Sequence, residues 1–311
     1  MAYPHLFLLL LSLISIILAV PAYGIRLTNV KHLFDITYNF SQPSDVSVSK
    51  DGLIYVVDGV NNKIKVFNKD GNFVFSFGRK GSESGEFLFP LGIDVDSSGR
   101  VYIADSGNQR VQVFDSNGSF IKQIRIHLKD SRTPEPVDVV VDESRNRCYV
   151  VDNNNHCILV YDLSSLKLLN IYGKPGEEKR EFRYPFLITL DKDKYLYIVD
   201  VINTRVQVLN PDGLFVANIG GWGVEKGEFF RPKGVAIDKN NRVYISDSYM
   251  GVIQVFNSNG GFYSVIGDPQ KGTVKKFKTP TGIFIDNKNK LYVVEMFAEK
   301  ISVYNIEGDT E

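Results

Sequence analysis

The stretch Pro90-Leu91-Gly92-Ile93-Asp94-Val95-Asp96-Ser97-Ser98-Gly99-Arg100-Val101-Tyr102-Ile103-Ala104-Asp105 decides the fold of this chain. It continues Ser106-Gly107-Asn108-Gln109-Arg110-Val111-Gln112-Val113-Phe114-Asp115-Ser116-Asn117-Gly118. Apolar residues recur here at a period of two, the pattern of a strand with two unlike faces. Val101-Tyr102-Ile103 and Val111-Gln112-Val113-Phe114 are β-branched and aromatic, and such side chains fit a pleated surface. Asp96-Ser97-Ser98-Gly99 and Asp115-Ser116-Asn117-Gly118 supply the turns between the runs.

The unit recurs along the chain. Its opening proline falls at Pro43, Pro90, Pro136, Pro185, Pro232 and Pro280, with spacings of 47, 46, 49, 47 and 48. The acid that closes its second apolar run falls at Asp58, Asp105, Asp152, Asp200, Asp247 and Glu295, with spacings of 47, 47, 48, 47 and 48. Two independent landmarks thus keep one period. A fourth run follows, as in Phe73-Val74-Phe75-Ser76-Phe77-Gly78 of the first unit. Four strands at this period describe a propeller blade. The fold class is therefore all-β: a six-bladed β-propeller with four antiparallel strands per blade.

The last unit supplies only three strands, ending near Val303-Tyr304-Asn305. A strand-like segment, Val30 to Tyr38, precedes the first unit. It is predicted to complete the last blade as its outer strand, closing the ring and covering an open sheet edge.

The Pro-x-Gly/Asp-Ile/Val opening, the Tyr-Val/Ile-x-Asp run and the following Asn-x-Arg-Val-x-Val resemble the NHL repeat family, over residues 43 to 305. The resemblance implies a propeller, and propellers serve as scaffolds, sensors and enzymes. Asp105, Asn108 and Arg110 in blade two, and Asp200, Asn203 and Arg205 in blade four, keep the motif best. Blade one has Lys63 in the Arg slot, and blade three has Asn155 but Cys157 there. Blade five has Met250 and Val252, and blade six has Glu295, Ala298 and Lys300. These polar sets are expected to bond the turn between the second and third strands and to tie neighbouring blades.

The chain carries 36 basic and 36 acidic residues, so no broad basic field exists to neutralise phosphates and nucleic acid is not the expected partner. Leu6 to Val20 is apolar apart from Ser12 and Ser15, and is short for a spanning helix. Ala22 and Gly24 are small residues suited to cleavage. Residues 1–24 are read as a signal peptide, with a retained N-terminal anchor as the alternative, and 25–311 as the propeller. The body is expected to be exported, whether extracellular, periplasmic or on the outer cell surface. Cys148 and Cys157 are offset along one hairpin, and two free, buried thiols are expected.

No catalytic set is recognisable. The four histidines, His5, His32, His127 and His156, occupy unrelated repeat positions and form no metal-ligand spacing. No nucleophile elbow or phosphate loop is present, and Gly78 to Gly85 and Gly220 to Gly227 read as turns between blades. Some propellers that the NHL resemblance brings in are lyases or lactonases with His or acidic ligands at the channel. A metal-dependent lyase or hydrolase is therefore the alternative function. No cofactor is predicted, and the candidates for holding a divalent cation are Asp45 and Asp138. They occupy the third position of their units, where other blades carry Gly92, Leu187, Gly234 and Gly282. A turn or capping role is the expected one.

The turn between the second and third strands and the crossover to the next blade share one face. The residues after each acidic landmark there are Gly59-Val60, Ser106-Gly107, Asn153-Asn154, Val201-Ile202, Ser248-Tyr249 and Met296-Phe297. Those after each opening proline are Ser44, Leu91, Val137, Phe186, Lys233 and Thr281. Blades four to six are the apolar half, and Trp222 lies in the crossover between blades four and five. Phe186, Val201, Ile202, Trp222, Lys233, Tyr249, Met296 and Phe297 are therefore the candidate binding residues for a protein, a peptide or an apolar small ligand. The competing expectation is that the apolar side chains plug the gaps between blades.

Overall fold

The computed structural model describes residues 24–128 and 131–307. The signal-peptide reading of residues 1–24 otherwise lies outside them. The alternating runs form the strands expected of them. In blade one these are Pro43–Val48, Ile54–Asp58, Lys63–Phe67 and Phe73–Phe77, paired antiparallel in chain order. The innermost strands of the other blades are Pro90–Val95, Pro136–Asp142, Pro185–Leu190, Pro232–Ile237 and Pro280–Ile285. Each innermost strand packs on the next, and Pro43–Val48 packs on Pro280–Ile285, so six blades close a ring.

Closure uses the N-terminal segment. Strand Leu27–Ile36 pairs antiparallel with Lys300–Ile306, from Val30 opposite Ile306 to Ile36 opposite Ile301. It ends two residues before the expected Tyr38. Tyr38 instead stacks on Phe73 of blade one, with ring centroids 4.2 Å apart. The strand also begins earlier than expected. Leu27, Thr28 and Asn29 pair in parallel with Val265, Ile266 and Gly267, the outer strand of blade five. One strand therefore completes blade six and ties it to blade five.

Second and third strands are buried on both faces, because each blade packs between two others. Core clusters accordingly bridge neighbouring blades, as where Tyr102 and Val113 pack with Cys148 and Leu159. Both thiols are buried and free. Cys148 lies opposite Tyr161 and Cys157 opposite Asp152, so they are offset as expected. Burial pushes both thiols up to about 12.

The glycine-rich crossovers are shaped by an aromatic plug. Gly78 has φ of 86°, and a Cβ there would sit 2.3 Å from the ring of fully buried Phe87. Phe182 and Phe229 are buried in the equivalent crossovers. These segments are turns between blades, as read from the sequence. Deleting residues 25–38 leaves two sheet edges bare, in blades five and six. Size-exclusion chromatography and thermal melting are expected to show self-association or unfolding. A monomer of unchanged melting temperature contradicts closure by this strand.

Candidate functional site

The acid at the end of each second strand organises the face that carries the crossovers. It accepts the backbone N–H of the residue 17 positions earlier, in the incoming crossover. The bonds are Ser41 to Asp58 at 2.7 Å, Leu88 to Asp105 at 2.8 Å, and Glu135 to Asp152 at 3.0 Å. They continue with Arg183 to Asp200, Phe230 to Asp247 and Lys278 to Glu295, each at 2.7 Å. Blade two shows the full device. Asn108 bonds Asp105 and the Gly81 carbonyl. Arg110, fully buried, pairs with Asp105 at 2.7 Å and donates to the carbonyls of Ser82, Glu83 and Glu86. Asp200, Asn203 and Arg205 repeat this in blade four. The polar sets are structural ties between blades.

Blade one corrects the sequence reading in one residue. Lys63 is exposed, and the cation that pairs with Asp58 is Lys65, at 2.6 Å. Lys65 stands where blade two has Gln112. The two positions are neighbours on one side of the strand, because alternate residues share a face. In blade one Lys65 therefore takes the charge, and its Nζ also caps the carbonyls of Tyr38 and Asn39.

Asp45 and Asp138 do point to the channel, as expected, and Asp94 joins them. Each links adjacent innermost strands. Asp45 accepts the N–H of Ile93 at 3.1 Å, Asp94 that of Val141 at 2.8 Å, and Asp138 that of Ile188 at 2.8 Å. Glycine is needed beside them: a Cβ at Gly92 would lie 2.4 Å from the Asp138 carboxylate and one at Gly282 2.3 Å from that of Asp45. Burial raises these carboxyls first, Asp45 to about 7, Asp94 to about 6 and Asp138 well above its ordinary value. Repulsion adds to it, from Asp94 on Asp45, from Asp96 and Glu143 on Asp94, and from Asp45 and Asp94 on Asp138. A carboxyl raised by burial that already accepts backbone N–H bonds has less capacity left for a cation than a free carboxylate. Among the described residues no three His, Cys, Asp or Glu side chains are grouped to hold a metal ion. Asp94 was legible as the one acid between Ile93 and Val95 of an inner strand.

The candidate binding residues separate into two groups. Ile202, Trp222, Tyr249 and Phe297 are exposed, at 51, 76, 59 and 56 % of their full area. Val201 is buried in the core between blades four and five. Phe186 and Met296 are half-buried. The structure thus divides the set: Val201 is a plug, and its neighbour Ile202 projects. Tyr249 stacks on Phe230 at 4.1 Å. Lys233 places its Nζ 4.0 Å from the centre of the Phe186 ring. Burial, and then the Arg231 guanidinium, bring its ammonium down to about 8.

The face also exposes Val60, Phe89 and Tyr184. The last two stand immediately before an opening proline, with φ of 49° and 56°. That conformation is strained for an aromatic residue. It is held by the N–H bonds of Phe89 to Asn62 and of Tyr184 to His156, both at 2.9 Å. The residue before each proline was the sequence signal for them.

The profile of the DUF5128 family, described as a 6-bladed beta-propeller, matches residues 37–133, 97–172 and 239–310. The chain belongs to this family. Its repeats are of the NHL type. A stretch of 51 residues is 39% identical to Protein brain tumor of Drosophila melanogaster. The match spans 16% of this chain and 5% of that protein. Among solved structures, a gluconolactonase of Xanthomonas campestris superposes with a TM-score of 0.70 at 13% identity, covering 92% of each chain. A streptogramin B lyase superposes with a TM-score of 0.64 at 15% identity, covering 89% of this chain and 98% of its own. At these identities the likeness is one of fold.

The channel carboxyls give this DUF5128 propeller a definite pH response. Their pKa values are higher in the folded state than in the unfolded chain. The folded state therefore retains protons that the unfolded chain has released, and stability falls as pH rises from about 4 towards 7. Asp138→Asn removes one such group. Urea unfolding from pH 5 to 8 is expected to give a shallower fall for the variant, by up to ~1.4 kcal/mol per pH unit. Parallel curves for the two proteins contradict the assignment.

Proposed function

We propose that this chain is an exported propeller that binds a protein or peptide through the face of the second-to-third-strand turns and the crossovers. The observation that carries this reading is the exposure of Ile202, Trp222, Tyr249 and Phe297 on that one face. Turns are ordinarily polar, and tryptophan and tyrosine are enriched among residues that anchor partners. The buried acids beneath hold the turns rigid, so the aromatic side chains lose little freedom when a partner docks. Export is supported by the apolar stretch Leu6 to Val20.

The alternative is catalysis at the channel. The cavity beside Asp45, Asp94 and Asp138 has a volume of about 50 Å³, room for a few water molecules. A wider one of about 290 Å³ adjoins it at Asp94, lined by Glu143, Asp191 and Lys194 as well, with no His or Cys to supply a nucleophile or base. The channel carboxyls also already serve as ties between strands. Binding on the face is therefore the better-supported reading.

The triple variant Ile202→Ser, Tyr249→Ser, Phe297→Ser tests it. The wild-type chain is expected to retain a partner from the exported fraction that the variant releases, with affinity for the isolated partner lowered ~30-fold or more. Melting should be unchanged, because none of the three side chains is in the core. Equal retention by both proteins contradicts the reading.

A further inference from the structure

In the blade-five sector of the face, Arg231 and Lys233 stand at the start of the inner strand without an ion-pair partner among the described residues. The acids of the same crossover, Glu225 and Glu228, lie towards its other end, with the Glu228 carboxylate against Gly223. Lys233 is the second residue of the innermost strand Pro232–Ile237, at the channel mouth. The equivalent residues of the other blades are Ser44, Leu91, Val137, Phe186 and Thr281, so it is the only charge at that level of the ring. It is half-buried, and its ammonium lies over the Phe186 ring at 4.0 Å. Among the described residues no carboxylate lies within 4.0 Å of Lys233 or of the Arg231 guanidinium. The neighbouring acid, Asp247, is fully buried, and its oxygens are taken by the N–H groups of Phe230, Arg231, Tyr249 and Met250. Asp45 and Asp138 belong to blades one and three.

Elsewhere on this face the buried cations are neutralised. Lys65 has Asp58, Arg110 has Asp105, and Arg205 has Asp200. A partly desolvated ammonium without such a partner is costly, and an incoming anion recovers that cost. Tyr249 is next to Arg231, since the N–H groups of both bond Asp247, and it is exposed and held by stacking on Phe230. Trp222 is exposed in the crossover that leads into this strand, bridged to Phe229. The complement of this sector is thus one carboxylate next to one bulky apolar group. The channel cavities, of about 50 and 290 Å³, are lined by inner-strand residues and the turns that follow them, without Trp222, Lys233 or Tyr249. An open shelf with aromatic studs suits a chain laid across it, whereas an acyl chain or a small molecule is held by enclosure.

We propose that Lys233, assisted by Arg231, anchors the free α-carboxylate of a peptide whose last residues are apolar and pack on Trp222 and Tyr249. This rests on the reading of the face as a binding surface and names the chemistry of its ligand. The ammonium donates to the carboxylate from above Phe186, and the aromatic pair fixes the direction from which the peptide arrives. Lys233 is then the residue that distinguishes a chain terminus from an internal segment.

The test uses fluorescein-labelled hexapeptides with randomised Leu, Phe and Trp at the last two positions, prepared as free acids and as C-terminal amides. Anisotropy titrations with the mature wild-type chain are expected to show the acids binding about tenfold tighter than the amides, the scale of one charge-assisted hydrogen bond. Lys233→Met is expected to erase that preference and Lys233→Arg to keep it. Tyr249→Ser should weaken acids and amides alike. Equal binding of acids and amides by the wild type, no binding of either, or a preference that survives in Lys233→Met overturns the inference. A partner lost by the triple serine variant but indifferent to Lys233→Met leaves the binding face standing and removes only the carboxylate anchor.

Discussion

One hydrogen bond, made six times, sets the arrangement of everything else. A carboxylate at the end of each second strand accepts the N–H of a residue 17 positions earlier. The bond joins the middle of a blade to the crossover that delivers the chain into it. The acid is nearly free of solvent in every blade, and leaving it unpaired there would cost several kcal/mol. The crossover consequently has one low-energy path. That path fixes where the opening proline sits, where the innermost strand starts and which side chains are left on the outer surface.

The other polar groups are variations on this theme. Where the Arg slot is filled, as by Arg110, the cation neutralises the acid and caps crossover carbonyls as well. Where it is empty, the neutral donors of the turn do the work, as Asn155 does in blade three. In blade six the longer Glu295 shares Lys300 and Ser302 with Asp35 of the closing strand. The device that shapes a blade therefore also fastens the N-terminal strand. Rigid turns of this kind are what let Ile202, Trp222, Tyr249 and Phe297 stand out of the surface instead of collapsing onto it.

The fold was almost fully legible, because a period kept by Pro43 to Pro280 and by Asp58 to Glu295 reflects geometry that every blade must satisfy. The closing strand was legible for the same reason: an unpaired run and an incomplete last blade require each other. Its parallel pairing with Val265 to Gly267 was not, since nothing in Leu27-Thr28-Asn29 specifies a second neighbour. The shift of the blade-one cation from Lys63 to Lys65 was hidden because both residues lie on one side of the strand. The face was legible in part. Hydrophobicity marks Val201 and Ile202 alike, and only the path of the turn tells which is inside. Phe89 and Tyr184 escaped notice because a left-handed aromatic residue before proline is a conformation that local preference argues against.

Native-state hydrogen exchange, followed by NMR, addresses the six bonds directly. The amides of Ser41, Leu88, Glu135, Arg183, Phe230 and Lys278 lie in crossovers, where exchange is ordinarily fast. If the buried acids hold the architecture, all six exchange only through global unfolding, as slowly as the amides of strands such as Val101–Asp105 and Leu196–Asp200. Exchange at the rate of exposed loops, with the strands still protected, would show that the blades stand without these bonds and would contradict the account.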